Sequence, residues 1–474
     1  MTPDTAAPPP LVVDLDGTLS RTDLLLECFW KGMGAAPLPT LVVAQRDFRH
    51  RARLKRNLGA LAPVDVATLP LRDEVQHLIE TARAAGREVL LVSGGTEALV
   101  EAFAARRGPF TDVLASDAET NLTRADKAAR LIERFGEGGF DYVGDSADDI
   151  PVWKAARKAY VVAPRPGFAA RLNREGIDAE PLGQTWQPGD LVRALRPHQW
   201  LKNTLLALPL LAAHRAGLGD LFAVLWGFIA FSALASAIYI VNDLTDLEAD
   251  RVHDSKRDRP FANGRLPIRV GMAASLALVA LGLGLGAALG PGMMAVLLVY
   301  LAATTTYSMH LKRVRWADVA MLAALYTLRV VAGAAAAEVP ASGWLIGFIF
   351  PVFLSLGCVK RLTELAKADG DGYVPGRRYR PADRQDLANV AIVSAMAAVG
   401  VFLAYSLGPT AAALYTHPWM LLLVAALLGG WLARMIATGW AGQQDYDPII
   451  YAITDRIGLV LVIASVVLLL LAAG

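Results

Sequence analysis

Two patterns of hydrophobic and polar positions divide the chain. Up to about residue 200, short apolar runs alternate with charged, helix-like stretches; beyond it, long apolar runs are separated by short charged loops. In the first part, LVVDLD at 11–16 reads as a buried strand ending in carboxylates. Residues 71–85 read as a helix, 87–92 (REVLLV) as a second strand, and 96–106 as a helix behind Ser93-Gly94-Gly95. A strand at 112–115, a helix at 124–135, a strand at 140–143 and a helix at 148–157 follow. Strands alternating with helices predict a parallel α/β sheet of Rossmann-like form. Basic, helical-looking sequence at 20–70 interrupts the alternation and reads as an inserted helical cap. Residues 164–190 are rich in Pro and Gly and read as a linker.

The second part predicts an all-α membrane domain. Nine apolar stretches lie near 201–214, 221–242, 268–290, 292–309, 317–336, 341–359, 388–408, 417–436 and 456–473, the first of them short. A span needs about 20 apolar residues. If the soluble part is cytoplasmic, loops 243–267, 310–316, 360–387 and 437–455 share its side. The first three of these hold fifteen Lys and Arg, whereas the opposite loops hold Arg215 alone. That asymmetry obeys the positive-inside rule and supports both the count and the orientation; the expected location is a bacterial inner or plasma membrane, with the N-terminal domain in the cytoplasm. The expected organisation is a disordered leader at 1–10, an α/β domain at 11–165 with its cap near 20–70, a linker at 166–194 and a membrane domain at 195–474.

Composition adds little to this division. Of the 474 residues, 54% are hydrophobic and 19% charged, and the net charge is only +2, so nucleic acid is not an expected partner. The two cysteines, Cys28 and Cys358, fall one in each part and suggest neither a disulfide framework nor a metal cluster. MTPDTAAPPP lacks the charged-then-apolar pattern of a signal peptide.

The soluble part carries Asp14-Leu15-Asp16-Gly17-Thr18-Leu19. Two carboxylates two apart at a strand end project to one side and can hold Mg²⁺, with one as nucleophile and the other as acid/base. An acidic loop that merely closes a strand is the alternative. Ser93 follows the second strand, Lys127 sits early in a helix, and Gly144-Asp145-Ser146-Ala147-Asp148-Asp149 follows a later strand. Together these motifs resemble the haloacid dehalogenase superfamily of phosphatases over 11 to about 165. The resemblance implies Asp14 as the phosphorylated nucleophile and Asp16 as acid/base. It implies Ser93 and Lys127 as phosphate ligands, and Asp145 with Asp149 beside Asp14 and Asp16 around Mg²⁺. Asp148 is an alternative to Asp149. A degenerate, structural domain is disfavoured, because no catalytic position is missing.

The second apolar stretch ends in Asn242-Asp243-Leu244-Thr245-Asp246-Leu247-Glu248-Ala249-Asp250. Asp243, Asp246 and Asp250 are spaced to share a helix face, where three carboxylates repel one another and oppose the macrodipole unless a cation such as Mg²⁺ relieves them. An acidic helix end at the membrane surface is the plainer alternative. NDxxDxxxD matches the UbiA superfamily of intramembrane transferases. Its second motif is represented by Tyr307-Ser308, Lys312 and Asp318, with Lys312, Arg313 and Arg315 making it more basic than the two-carboxylate form of many prenyltransferases.

Arg196-Pro197-His198-Gln199-Trp200-Leu201-Lys202-Asn203 and the run from Asn242 to Pro260 resemble the decaprenyl-phosphate phosphoribosyltransferase branch of UbiA, over about 195–474. The likeness extends to the basic loop from Lys360-Arg361 to Arg384, including Arg377, and to Asp447-Pro448 and Asp455-Arg456. It implies transfer of phosphoribose from phosphoribosyl pyrophosphate (PRPP) to a polyprenyl phosphate, with Asp243 and Asp246 central. Lys202, Asn203, Asn242, Arg265, Tyr307, Lys312, Asp318, Lys360 and Arg377 are the candidate substrate ligands. Fusion to a phosphatase suggests removal of the 5-phosphate from the lipid product, a step toward a sugar donor for cell-wall pentose polymers such as arabinan. Arg46, Arg49, Arg51, Arg53, Lys55 and Arg56 of the cap offer anionic headgroups a docking surface or form a solvated helix face. The expected partners are PRPP, a polyprenyl phosphate and the bilayer, with self-association left open. An aromatic prenyltransferase using a prenyl diphosphate, or a lipid-binding scaffold with only the phosphatase active, are the rival readings.

Overall fold

The computed structural model describes residues 8–116, 122, 124–215, 217–367, 379–444, 451–452 and 455–474; Arg377, Arg378, Asp447, Pro448 and most of the expected leader lie outside these residues. The chain forms two units, one of Met1–Arg196 with Tyr239–Leu276 and one of Pro197–Ile238 with Ala277–Gly474. The first unit thus contains the acidic segment that follows residue 242.

Its centre is a six-stranded parallel sheet in the order β3-β2-β1-β4-β5-β6. The strands are β1 (Leu11–Asp14), β2 (Val89–Thr96), β3 (Asp112–Ser116), β4 (Asp141–Gly144), β5 (Lys158–Val162) and β6 (Ala179–Leu182). Residues Leu11 to Val13 pair with Val89 to Leu91 on one side and with Asp141 to Val143 on the other. β1 is buried throughout, as an unbroken apolar run covered on both faces should be. Connections leave β1 toward β2 and return to β4, so Asp14 ends its strand at the topological switch point, where α/β sheets bind ligands. Helices α4 (Asp73–Ala84), α5 (Glu97–Arg107), α6 (Arg124–Phe135), α7 (Ile150–Ala155), α8 (Pro166–Arg174) and α9 (Pro188–Leu195) complete this part.

The interruption at 20–70 is helical, as its composition predicts: α1 (Leu24–Ala35), α2 (Pro37–Asp47) and α3 (Arg51–Leu61). Asp23 caps α1 by accepting from the amides of Leu25 and Leu26. The expected linker differs from its reading: α8 and the edge strand β6 lie within it. β6 pairs with β5 through Ala159–Ala179 to Val162–Leu182.

Of the nine stretches, eight are helices long and apolar enough to cross a membrane among the described residues. These are α11 (Leu218–Thr245), α13 (Ile268–Ala288), α14 (Pro291–Met309), α15 (Ala317–Ala336), α16 (Gly343–Lys367), α17 (Arg384–Ser406), α19 (Met420–Trp440) and α20 (Arg456–Ala473). Three short helices accompany them: α10 (Leu208–Ala212), α12 (Leu247–Val252) and α18 (Pro409–Leu414). The first expected span, 201–214, is instead a 3₁₀ helix over Pro197–Ala207 followed by the five-residue α10. Lys202 and Pro209 cut its apolar run short of a bilayer's thickness. On α20, Ile457, Val460, Ile463, Val467, Leu470 and Leu471 are all exposed, a density of outward apolar side chains that suits lipid as solvent.

Candidate active sites

At the end of β1, Asp14 is 6% exposed and accepts from Lys127 Nζ at 2.7 Å and from Thr18 Oγ1 at 3.2 Å. Lys127, on the inward face of α6, also donates to Asp149 at 3.2 Å and to the Tyr142 hydroxyl at 2.9 Å. Oxygens of Asp14, Asp145 and Asp149 lie within 4.8 Å of one another, so the donor set and spacing fit a hard divalent cation. Gly17 adopts φ +77° and passes close to Asp145, where an added Cβ would sit 2.4 Å from its Oδ2. The turn of the motif therefore requires glycine for conformation and for space.

Asp148 and Asp149 point in different directions. Asp149 is 2% exposed and accepts from Tyr142 at 2.7 Å and from the amides of Asp145 and Ser146. Asp148 instead pairs with Arg124 at 2.7 Å toward solvent. Asp16 stands apart from the carboxylate group. Its Oδ1 accepts from the Leu24 amide at 2.8 Å and its Oδ2 from Ser93 Oγ at 3.1 Å. Ser93 is thus brought to the acid/base candidate. Lys55, expected on a basic outer face, reaches inward to the Gly94 carbonyl.

Burial, reinforced by Asp149 and Asp16 against the pull of Lys127, pushes the Asp14 carboxyl up to about 7. Burial and then Asp23 push Asp16 up to about 6. Burial, then Asp149 and Asp14, hold Asp145 well above the usual carboxylate range. Burial opposes the Lys127 charge, but Asp14, Tyr142 and Asp149 outweigh it and keep the ammonium protonated. Three crowded carboxyls with one lysine leave an excess of negative charge that a cation relieves.

The acidic segment of the first unit is arranged differently. Asp243, 3% exposed, is paired with Arg196 and with Arg259 Nη1 at 3.0 Å. The same Arg259 nitrogen donates to Asp250 at 2.6 Å. Arg259 therefore bridges two of the carboxylates expected to hold metal. Asp246 sits at the break between α11 and α12, where its carbonyl accepts from the Asp250 amide at 2.8 Å. Asn242 accepts at its backbone carbonyl from Thr245 Oγ1. Arg265 is exposed and donates to the Asp258 carbonyl at 2.9 Å.

In the second unit, Asp318 is fully buried. It accepts from Tyr307 Oη at 2.9 Å and from Arg361 Nε at 2.6 Å, and Arg361 extends to Glu364 at 2.5 Å. Lys312 lies in a half-buried 3₁₀ turn and Lys360 beside Arg361 is half-buried. Lys202 is 8% exposed, with its Nζ 6.0 Å from the centre of the Tyr326 ring. Asn203 donates to Ser232 at 2.9 Å and accepts from Arg329 Nε at 2.9 Å. Arg329 was not singled out by sequence. Its guanidinium lies 5.1–5.4 Å from the rings of Phe231, Tyr300 and Tyr326, a cation held by aromatic faces.

Two family models match the chain. Residues 203–453 match the UbiA prenyltransferase family and residues 11–154 the haloacid dehalogenase-like hydrolases. An uncharacterised protein, y4nM, of Sinorhizobium fredii is 36% identical over 94% of this chain and 88% of its own length. Nodulation protein NoeC of Azorhizobium caulinodans is 36% identical over 57% of this chain and 89% of its own. Decaprenyl-phosphate phosphoribosyltransferase of Mycobacterium tuberculosis is 37% identical over 38% of this chain and 62% of its own. Among solved structures, a UbiA homolog from Archaeoglobus fulgidus bound to GPP and Mg²⁺ aligns with a TM-score of 0.46 at 16% identity, covering 60% of this chain and 98% of that one.

Proposed function

As this chain belongs to the UbiA prenyltransferase family, we propose that its membrane part transfers 5-phosphoribose from PRPP to a polyprenyl phosphate. Its N-terminal part, a haloacid dehalogenase-like hydrolase, then removes the 5-phosphate. The observation that carries this reading is the pairing of Asp243 and Asp250 with Arg259 and Arg196. A site that already matches its carboxylates with arginines suits a donor rich in phosphate, because the cations can turn to the donor's oxygens when it enters. Similarity to the phosphoribosyltransferases supports the same donor.

In the transfer, an oxygen of the polyprenyl phosphate bonds to the anomeric carbon of PRPP as the bond from that carbon to the pyrophosphate oxygen breaks. Asp243, Asp246 and Asp250 would hold Mg²⁺ only once released from Arg259 and Arg196, and the ion would supply positive charge against the leaving pyrophosphate. Arg259 and Arg196 neutralise the donor's remaining negative charge. Positioning and charge stabilisation suffice, and no covalent bond to the protein forms.

In the second reaction, an Asp14 oxygen attacks the phosphorus of the 5-phosphate. The ribose oxygen leaves and takes a proton from Asp16. Water, deprotonated by Asp16, then cleaves the aspartyl phosphate and returns Asp14 with inorganic phosphate. Asp14, Asp145 and Asp149 would hold Mg²⁺, which would shield the phosphate's charge, and Lys127 balances Asp14 between turnovers. With the soluble part in the cytoplasm, both reactions face the same compartment. Lipids extracted after incubation with PRPP test the order: Asp14→Asn accumulates the 5-phosphorylated lipid, and continued formation of the dephosphorylated lipid in a purified system would contradict it.

A further inference from the structure

Beside the catalytic carboxylates lies a group of arginines that the reaction above does not use. The cavity of about 810 Å³ over Asp14 adjoins a second of about 710 Å³, and Arg21, Arg72 and Arg269 line both. Two come from the hydrolase fold. Arg269 comes from the first turn of α13, within the segment Tyr239–Leu276 that belongs to the same unit.

None of the three is fully used by the protein. Arg72 donates through Nε to the Gly17 carbonyl at 3.2 Å; its terminal nitrogens have no hydrogen-bond partner among the described residues, and no carboxylate forms an ion pair with it there. Burial and then the neighbouring Arg21 charge lower its pKa, opposed by Asp145 and Glu74. Arg21 donates to the Leu71 carbonyl and meets Asp73 only at 3.6 Å. Arg269 gives one nitrogen to Asp23 at 2.6 Å and keeps its other donors open, with its side chain 77% exposed. Three guanidiniums with donors to spare, lining the same two cavities, offer an entering anion more than one charge-assisted contact. The Asp23 contact also holds Arg269 at the catalytic pocket, since the next amide, that of Leu24, donates to Asp16.

We infer that Arg21, Arg72 and Arg269 form a second anion site, which selects phosphomonoesters carrying another phosphate group on the same small scaffold. This inference rests on the hydrolase reading above and names its substrate class. A ribose esterified at both ends meets the requirement: its 5-phosphate enters between Asp14 and Lys127, and the phosphodiester on its anomeric carbon reaches the arginines. Because Arg269 belongs to the segment following the membrane motif, the hydrolase depends on the transferase part of the chain for this selectivity.

Full-length protein hydrolysing p-nitrophenyl phosphate provides the test, with ribose 1,5-bisphosphate and ribose 5-phosphate as competing inhibitors. The wild type should bind the bisphosphate at least about tenfold more tightly, the equivalent of one charge-assisted hydrogen-bonded contact. Arg269→Gln should bring the two inhibition constants together, and Arg269→Lys should retain part of the difference. Equal inhibition of the wild type by both sugars, or an unchanged ratio in Arg269→Gln, overturns the anion site while leaving the hydrolase reading intact. Absence of Asp14-dependent turnover of p-nitrophenyl phosphate overturns both.

Discussion

Arg251 and Glu27 form a two-pronged ion pair, 6% and 2% exposed, with Nη1–Oε2 at 3.2 Å and Nη2–Oε1 at 2.5 Å. Glu27 belongs to the cap helix α1, and Arg251 follows Asp250 on α12. Lys31 and the Asp65 amide grip Glu248 on the same short helix. The cap therefore docks on the acidic segment. Removing one partner of a buried pair strands the other's charge, whereas an apolar replacement of both does not. Glu27→Gln should destabilise the protein by about 3–5 kcal/mol. The double variant Glu27→Leu/Arg251→Met should recover much of that loss in denaturation curves. Equal stability of single variant and wild type would show the pair to be incidental.

Neighbouring aspartates should behave oppositely. Asp149→Asn removes an oxygen from the carboxylate group and should lower phosphatase kcat/KM by about 100-fold or more. Asp148→Asn touches only an exposed pair with Arg124, so it should change the rate by less than about twofold. Steady-state kinetics on both variants decide it. Similar losses would mean that Asp148 also reaches the metal.

Protons and Mg²⁺ should compete at the phosphatase site. Asp14, at about 7, and Asp16, at about 6, lie above their unfolded values of 3.8. A raised carboxyl favours the folded state most when protonated, so the metal-free domain should gain stability as pH falls from 8 toward 5. Mg²⁺ needs the ionised form, so its apparent affinity should weaken by up to about tenfold per pH unit below 7. Thermal shifts with and without Mg²⁺ across this range measure both trends. An Mg²⁺ effect as large at pH 5.5 as at pH 8 would contradict them.

Much of this was legible in the chain. Unbroken apolar runs ending in carboxylates or Ser93-Gly94-Gly95 set the strands, because both faces of a parallel sheet are buried. The edge strand β6 was not, since Ala179-Glu180-Pro181-Leu182 is short and partly exposed and its proline is tolerated only at an edge. Asp148 and Asp149 could not be separated because adjacent positions in a helical turn differ by about 100° in direction, a detail set by packing. The same holds for Lys360 and Arg361, where the fully buried partner of Asp318 is the arginine. Arg21, Arg72 and Arg269 are far apart in sequence and carry no motif; only the tertiary fold gathers them.

Arg361 should tolerate no replacement. Its fork spans Asp318 and Glu364 from a fully buried position. A lysine offers one point charge where two carboxylates are bridged, so Arg361→Lys should not restore what Arg361→Ala loses. Yield of folded protein in detergent and transferase rate report the two aspects. Full rescue by lysine would show that charge alone matters.

The transferase assignment meets its most direct test in membranes containing the chain, supplied with ribose-labelled PRPP, polyprenyl phosphate and Mg²⁺. Labelled lipid should form, disappear with EDTA, return with added Mg²⁺, and be absent from Asp243→Ala/Asp246→Ala protein that still folds. Geranyl diphosphate with an aromatic acid should give no product. Lipid labelling by the double variant at the wild-type rate, or prenylation of the aromatic acid with no transfer from PRPP, would contradict the assignment.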